Sequence, residues 1–329
     1  MADLPQAIHP DVVDRLRPEY VKFHNEHIAS RVPPHALPWD SNIRNAPTVP
    51  GGSPVQKVGS VRDIPLQNHK IRVFTPSGTP PEKGWPVYID IHGGGWTLGS
   101  IDTQNAFASR QCNEHKCLAI SVDYRLAPEH PYPAAVEDAV ATLKWVHEHG
   151  KAELSADVNR IAVGGSSSGG NLAALLALKG PQMNPPIPVI FQVLMVPVTD
   201  NTATVEGPYP SWKECQNTVW LNLDRMNWFQ NYYFPNKEDR AKWEASPMFA
   251  PDEMLAKVAP AHIAVNELDI LRDEGIAYGE KLRRLGVPVE IKVHKGVPHQ
   301  IMAMDGVLDC AKEVADDITR ALGEAFKKY

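Results

Sequence analysis

The sequence predicts an α/β protein with a mostly parallel central sheet, helices on both faces and a helical cap. Three observations predict it. Short apolar runs alternate with helical patterns through most of the chain, as expected when a parallel sheet is covered on both sides. The first strand-like runs follow one another without a helix between them, which predicts an antiparallel edge. One apolar run, Ile161–Val163, passes through glycines and serines straight into the helical stretch Asn171–Leu178.

Taken in order, residues 7–30 place Val12, Val13, Leu16, Tyr20, Phe23 and Ile28 at helical spacing with charged residues between, so one amphipathic helix is expected. Pro33–Pro38 and the Pro/Gly/Ser/Asn-rich stretch to Pro54 fit no regular element and read as a linker. Residues 56–61 and 69–74 are expected to pair as strands, followed by strands Trp85–His92 and Cys117–Asp123. A helix from Ala134 to His149 should close at Gly150, because glycine accepts the left-handed backbone just past a helix end. Val189–Val196, Ala261–Val265 and Val287–His294 are further strands, and a last helix runs over Val307–Phe326. Asn201–Ala245 breaks the alternation and is dense in aromatic residues, among them Tyr209, Trp212, Trp220, Trp228, Phe229 and Tyr233. It reads as a cap insertion, with a plain core subdomain as the alternative. The expected organisation is residues 1–54 as N-terminal cap helix and linker, 55–200 as the first part of the core, 201–245 as the insertion and 246–329 as the second part of the core.

Composition narrows the function. A chain of 329 residues allows one large domain or two small ones, and 43% hydrophobic residues can build a sizeable core. A net charge of -6 without a long basic run argues against a nucleic-acid partner. No apolar run reaches the ~18–20 residues of a membrane span. The start Met1–Gln6 lacks the basic and apolar regions of a secretory signal. Cys112, Cys117, Cys215 and Cys310 are too few for a disulfide scaffold, and no second metal-type pair accompanies the first two. Free thiols, a cytoplasmic location and no metal are expected.

Only one frame satisfies G-x-S-x-G: Gly165-Ser166-Ser167-Ser168-Gly169. A serine on a sharp strand-to-helix turn has its hydroxyl exposed, and the flanking glycines let the two backbones approach. The helix start adds N–H donors and a positive dipole end. Ser167 is therefore the candidate nucleophile. His92-Gly-Gly-Gly-Trp96 follows a buried strand, and consecutive glycines serve where backbone N–H groups must face a ligand. The amides of Gly93, Gly94 and Ser168 are the candidate oxyanion donors. His299, in the loop Lys295–Gln300 after a strand, is the candidate base, since loops at strand ends carry the catalytic groups of such sheets. The acid should lie between serine and histidine in the chain. Asp269 is the candidate, with Glu267 as a rival, while Asp273 is better placed to charge the next helix start.

The stretches His92–Gly99, Asp123–Asp138, Arg160–Asn171 and Asp269–Gly275 make the chain resemble the hormone-sensitive-lipase-like branch of the α/β-hydrolases, a branch rich in microbial and fungal carboxylesterases. The likeness runs from about residue 55 to the C-terminus. It implies an α/β-hydrolase fold, a triad Ser167, Asp269 and His299, selecting Asp269 over Glu267, and an N-terminal segment that joins the cap. It also implies short- to medium-chain ester substrates and no cofactor. Trp96, Tyr209 and Trp212 are the candidate substrate-binding aromatics, and a homodimer is the expected assembly. Two departures stand out. Ser166 and Ser168 replace the family's usual Asp and Ala around the nucleophile, and Gln300-Ile301 replaces its usual Gly-Phe after the histidine. Rival readings are a non-catalytic binding protein, as in the plant gibberellin receptors that lack the histidine, and an amidase or lactonase using the same triad.

Overall fold

Helix formation begins later and in shorter pieces than the periodicity predicts. The structure, a computed structural model, describes residues 5–328. Met1–Leu4, on which the reading of the chain's start partly rests, and Tyr329 lie outside the described residues. The expected single N-terminal helix is two helices, α1 (Pro10–Val13) and α2 (Pro18–His27). Pro18 explains the correction: a proline cannot donate to the preceding turn, but it suits the first position of a new helix. Val12, Leu16, Tyr20, Phe23 and Ile28 are nevertheless buried as the pattern requires. The linker is tied down rather than free. Arg44 donates to the carbonyls of Thr97 at 2.8 Å and Ala127 at 2.7 Å and pairs with Glu129.

The strands are β1 (Ser60–Pro65), β2 (Lys70–Thr75), β3 (Trp85–Ile91), β4 (Leu118–Asp123), β5 (Ala156–Ser166), β6 (Val189–Met195), β7 (Ala261–Leu268) and β8 (Val289–Pro298). Among the described residues they form one eight-stranded sheet in the order β1-β2-β4-β3-β5-β6-β7-β8. Pairs β1–β2 and β2–β4 are antiparallel and the rest parallel, so the predicted antiparallel edge is present. The first strand sits later than residues 56–61, in register Ser60 to Thr75 with β2.

The sheet is flanked by α3 (Asn105–His115), α4 (Ala134–Leu154), α5 (Ser168–Lys179), α9 (Arg272–Arg284) and α10 (Asp309–Lys328); α7 (Leu223–Tyr233) and the short α6 (Ser211–Glu214) and α8 (Asp252–Leu255) lie between β6 and β7. Residues of α4, α5 and α9 share one apolar cluster with one face of the sheet, and α10 with α1 and α2 share another with the opposite face. Alternate residues of β4 divide between the faces: Leu118, Ile120 and Val122 join the first cluster, while Cys117, just before the strand, joins the second. Gly150 does not end α4. The helix continues to Leu154, and Ser155 takes the left-handed backbone at φ 54°. Gly150 is instead a close-packing position, where a Cβ would come within 3.3 Å of Ala156 Cβ. Arg125 clamps the chain after β4 onto α4 through paired bonds to buried Asp138 at 2.9 Å. No helix among the described residues is long and apolar enough to cross a membrane.

Candidate active site

Ser167 stands at the junction of β5 and α5 with φ 57° and ψ -117°, a conformation that L-residues avoid and that a packed strand-turn-helix can enforce. Its N–H donates to Met195 O of the neighbouring strand at 2.8 Å, and its carbonyl accepts from Asn171 N at 3.0 Å, so both backbone groups are held by the sheet and the helix. The side chain is left free to point away from both.

Three parallel strands deliver the rest. The chain leaving β7 carries Asp269, fully buried, and the chain leaving β8 carries His299. His299 Nδ1 lies 2.6 Å from Asp269 Oδ2, and His299 Nε2 lies 2.9 Å from Ser167 Oγ. A carboxylate can only accept, so Nδ1 carries the hydrogen and Nε2 turns its lone pair towards the serine hydroxyl. The other Asp269 oxygen accepts from Leu271 N at 3.0 Å, which fixes the carboxylate plane. The rivals are engaged elsewhere. Glu267 accepts from Gly296 N at 2.9 Å and Lys295 Nζ at 3.1 Å. Asp273, in the first turn of α9, accepts from Ser211 N at 2.7 Å.

The glycine loop after β3 lies against the serine. A Cβ on Gly93 would come 3.3 Å from Ser167 Cβ, and Gly94, at φ 123°, has Leu98 O where a Cβ would be. The amides of Gly93, Gly94 and Ser168 donate to no acceptor among the described residues. Behind them, His92 stacks on Tyr124 with ring centroids 4.3 Å apart, and Tyr124 Oη donates to His92 O at 3.0 Å. Burial lowers the pKa of His92 and raises that of Tyr124, so both stay neutral supports of the loop. The Ser168 hydroxyl that replaces a methyl lies 3.5 Å from Tyr124 Oη.

Two buried polar residues went unassigned from sequence. Asn266, at the end of β7, donates through Nδ2 to Pro298 O at 2.7 Å and His299 O at 3.3 Å. Its position three residues before Asp269 was the available signal. Glu274 accepts from Thr199 N at 2.8 Å, Asp200 N at 3.2 Å and Trp212 Nε1 at 3.0 Å, tying segment 201–245 to α9. Burial pushes its carboxyl up to about 8 despite these donors. Trp212 therefore serves that tie, and Tyr209 donates to Asp200 Oδ2 at 3.1 Å. Trp96 stacks on Tyr233 at 4.4 Å. With exposures of 0% for Trp96, 8% for Tyr209 and 2% for Trp212, these three offer a substrate little surface, and none hydrogen-bonds to the triad. Ile301, in place of the usual aromatic, is fully buried beside Val297 and Met304, and His299 keeps both its bonds.

Comparison with known proteins agrees with this geometry. The chain matches the alpha/beta hydrolase fold family over residues 88–303. It is 43% identical to an AB hydrolase superfamily protein of Schizosaccharomyces pombe, over 96% of this chain and 95% of that one. It is 36% identical to Carboxylesterase NlhH of Mycobacterium tuberculosis, over 80% of this chain and 79% of that one. Among solved structures, a thermostable esterase of Pseudomonas putida superposes with a TM-score of 0.81 at 30% identity, covering 97% of each chain. The chain belongs to the alpha/beta hydrolase fold family, in its hormone-sensitive-lipase-like branch, and is a carboxylesterase.

Proposed function

We propose that this carboxylesterase cleaves short- to medium-chain esters through an acyl-enzyme on Ser167. The observation that carries the reading is the continuous chain of hydrogen bonds from Asp269 through His299 to Ser167 Oγ. His299 takes the hydroxyl proton as Oγ attacks the ester carbonyl, while Asp269 holds the imidazole tautomer and stabilises the imidazolium. The unengaged amides of Gly93, Gly94 and Ser168 receive the oxyanion. Losing one such donor typically costs about 3–4 kcal/mol of transition-state stabilisation. His299 then protonates the leaving alkoxide, and water, activated by the same imidazole, frees the acid.

A preference for shorter chains is supported by the tight seating of α7 on the glycine loop, where the Phe229 ring occupies the space a Gly95 Cβ would need. That contact also supports residues 201–245 as the cap. Four buried free cysteines support a reducing, cytoplasmic compartment. The outer edge of β8, which ends the sheet, supports pairing of two copies there.

The test is hydrolysis of p-nitrophenyl esters from acetate to palmitate, together with fluorophosphonate labelling. A rate maximum at short or medium acyl chains and a single adduct on Ser167 are expected. A maximum on palmitate would remove the chain-length reading, and labelling elsewhere would remove the nucleophile.

A further inference from the structure

The cap buries a positive charge that forms no ion pair among the described residues. Arg225, in the first turn of α7, is 7% exposed. Its Nη1 donates to Trp220 O at 2.8 Å, and its Nε is buried with no partner. Among the described residues the guanidinium forms no ion pair, and burial alone pulls its pKa down, to about 10. The Nε–Nη2 edge, the side of a guanidinium that grips a carboxylate with two parallel bonds, is therefore left without an acceptor. The neighbouring His35 offers no counter-charge, because an imidazole is neutral or cationic and never an anion. Burial, and then the Arg225 cation itself, hold its imidazole below the usual range, and its Nδ1 is also buried without a partner.

The segment that carries Arg225 touches the surroundings of the triad from two directions. Phe229, one helical turn further along the same face of α7, lies directly on Gly95 of the oxyanion loop. On the other side, the acceptor Trp220 packs with Val219 into the apolar cluster of Leu268, Val297 and Ile301, the residues that flank Asp269 and His299. Thr218 Oγ1 fastens this segment to Leu268 O at 2.7 Å. A lone buried cation is costly to keep unless an anion joins it, and a site that meets its partner only when substrate arrives has that property.

Resting on the serine-ester reading above, we propose that Arg225 is an anion subsite of the substrate pocket, and that the preferred esters carry a carboxylate of their own. The carboxylate would bind the Nε–Nη2 edge while the ester carbonyl sits at Ser167.

Two matched pairs test this, with kcat/KM measured on each: p-nitrophenyl valerate beside mono-p-nitrophenyl glutarate, and ethyl acetate beside acetoxyacetate. The first pair places the charge on the acyl side, the second on the alcohol side. Wild type should favour the charged member of at least one pair by about tenfold or more. In Arg225→Met that ratio should fall by on the order of ten- to a hundredfold, whatever happens to the absolute rates. Arg225→Lys, which keeps the charge but loses the fork, should lose part of the ratio, and it decides the matter if Arg225→Met does not fold. A wild-type preference for the neutral member in both pairs overturns the subsite. So does a ratio unchanged in the variants. Hydrolysis of the neutral esters alone leaves the serine mechanism standing, whereas failure to cleave any of the four overturns both readings.

Discussion

His299 Nε2 meets Ser167 Oγ at 2.9 Å across 132 positions of sequence. The contact exists because β5 and β8 end on the same edge of one parallel sheet, with β6 and β7 between them. Ser167→Ala should lower kcat on p-nitrophenyl esters by roughly 10⁴–10⁶. Asp269→Asn should cost about 10⁴, because an amide can present a donor to Nδ1 and turn the imidazole to the wrong tautomer. A loss below tenfold in either variant would remove that residue from the mechanism.

The backbone strain at Ser167 has a separate signature. At φ 57° and ψ -117° a Cβ is penalised. Ser167→Gly should therefore unfold at a higher temperature than Ser167→Ala, by about 1 kcal/mol in stability. Equal melting of the two inactive variants would show that the turn is not strained.

Asn266 holds the histidine loop by its carbonyls, at Pro298 and His299, without touching the reacting atoms. Asn266→Asp exchanges the donor for an anion facing those oxygens. Loss of kcat by about ten- to a hundredfold with little change in KM is expected, since a small misplacement of a catalytic group is felt in the transition state. A change confined to KM would argue for a different role.

Asp90 is buried inside β3 with Tyr88 Oη donating to one oxygen at 3.2 Å and no partner for the other. Burial raises its carboxyl from 3.8 to about 7. Between those values the folded protein keeps a proton that the unfolded chain has released, so stability falls as pH rises through this window. Asp90→Asn removes the dependence. The variant should gain on wild type by about 1.4 kcal/mol per pH unit within the window, measured by urea unfolding at several pH values. A difference that stays flat with pH would contradict the assignment.

Gly169 faces the carbonyl of Ile91, where a Cβ would lie only 1.9 Å from the oxygen. That oxygen belongs to β3 and cannot move without disturbing the sheet. Gly169→Ala should cost more than about 3 kcal/mol and leave little folded protein, which soluble yield and thermal unfolding will show.

Much of this was legible in the chain. The G-x-S-x-G turn, the glycine loop and the alternating strands are read from near neighbours, because sterics and periodicity act over a few residues. The N-terminal helix was over-extended because the apolar spacing continues through Pro18, which breaks the backbone but not the pattern. Gly150 was misjudged because a glycine in a helix also lets another element come close, and the spacing of one segment does not reveal its neighbour.

By itself the sequence determined where strands give way to helices and which serine sits on the sharp turn, since both follow from local conformational preference. It also placed the candidate nucleophile, acid and base in order along the chain. Only the tertiary structure decided that Glu267 is engaged by Gly296 and Lys295 while Asp269 faces His299. It alone left Arg225 buried without an ion pair among the described residues, gave Asn266 the histidine loop to hold and raised the Asp90 carboxyl. Those properties depend on which groups from distant segments share a desolvated space, where a partner a few ångströms away, or its lack, outweighs anything within the residue's own segment.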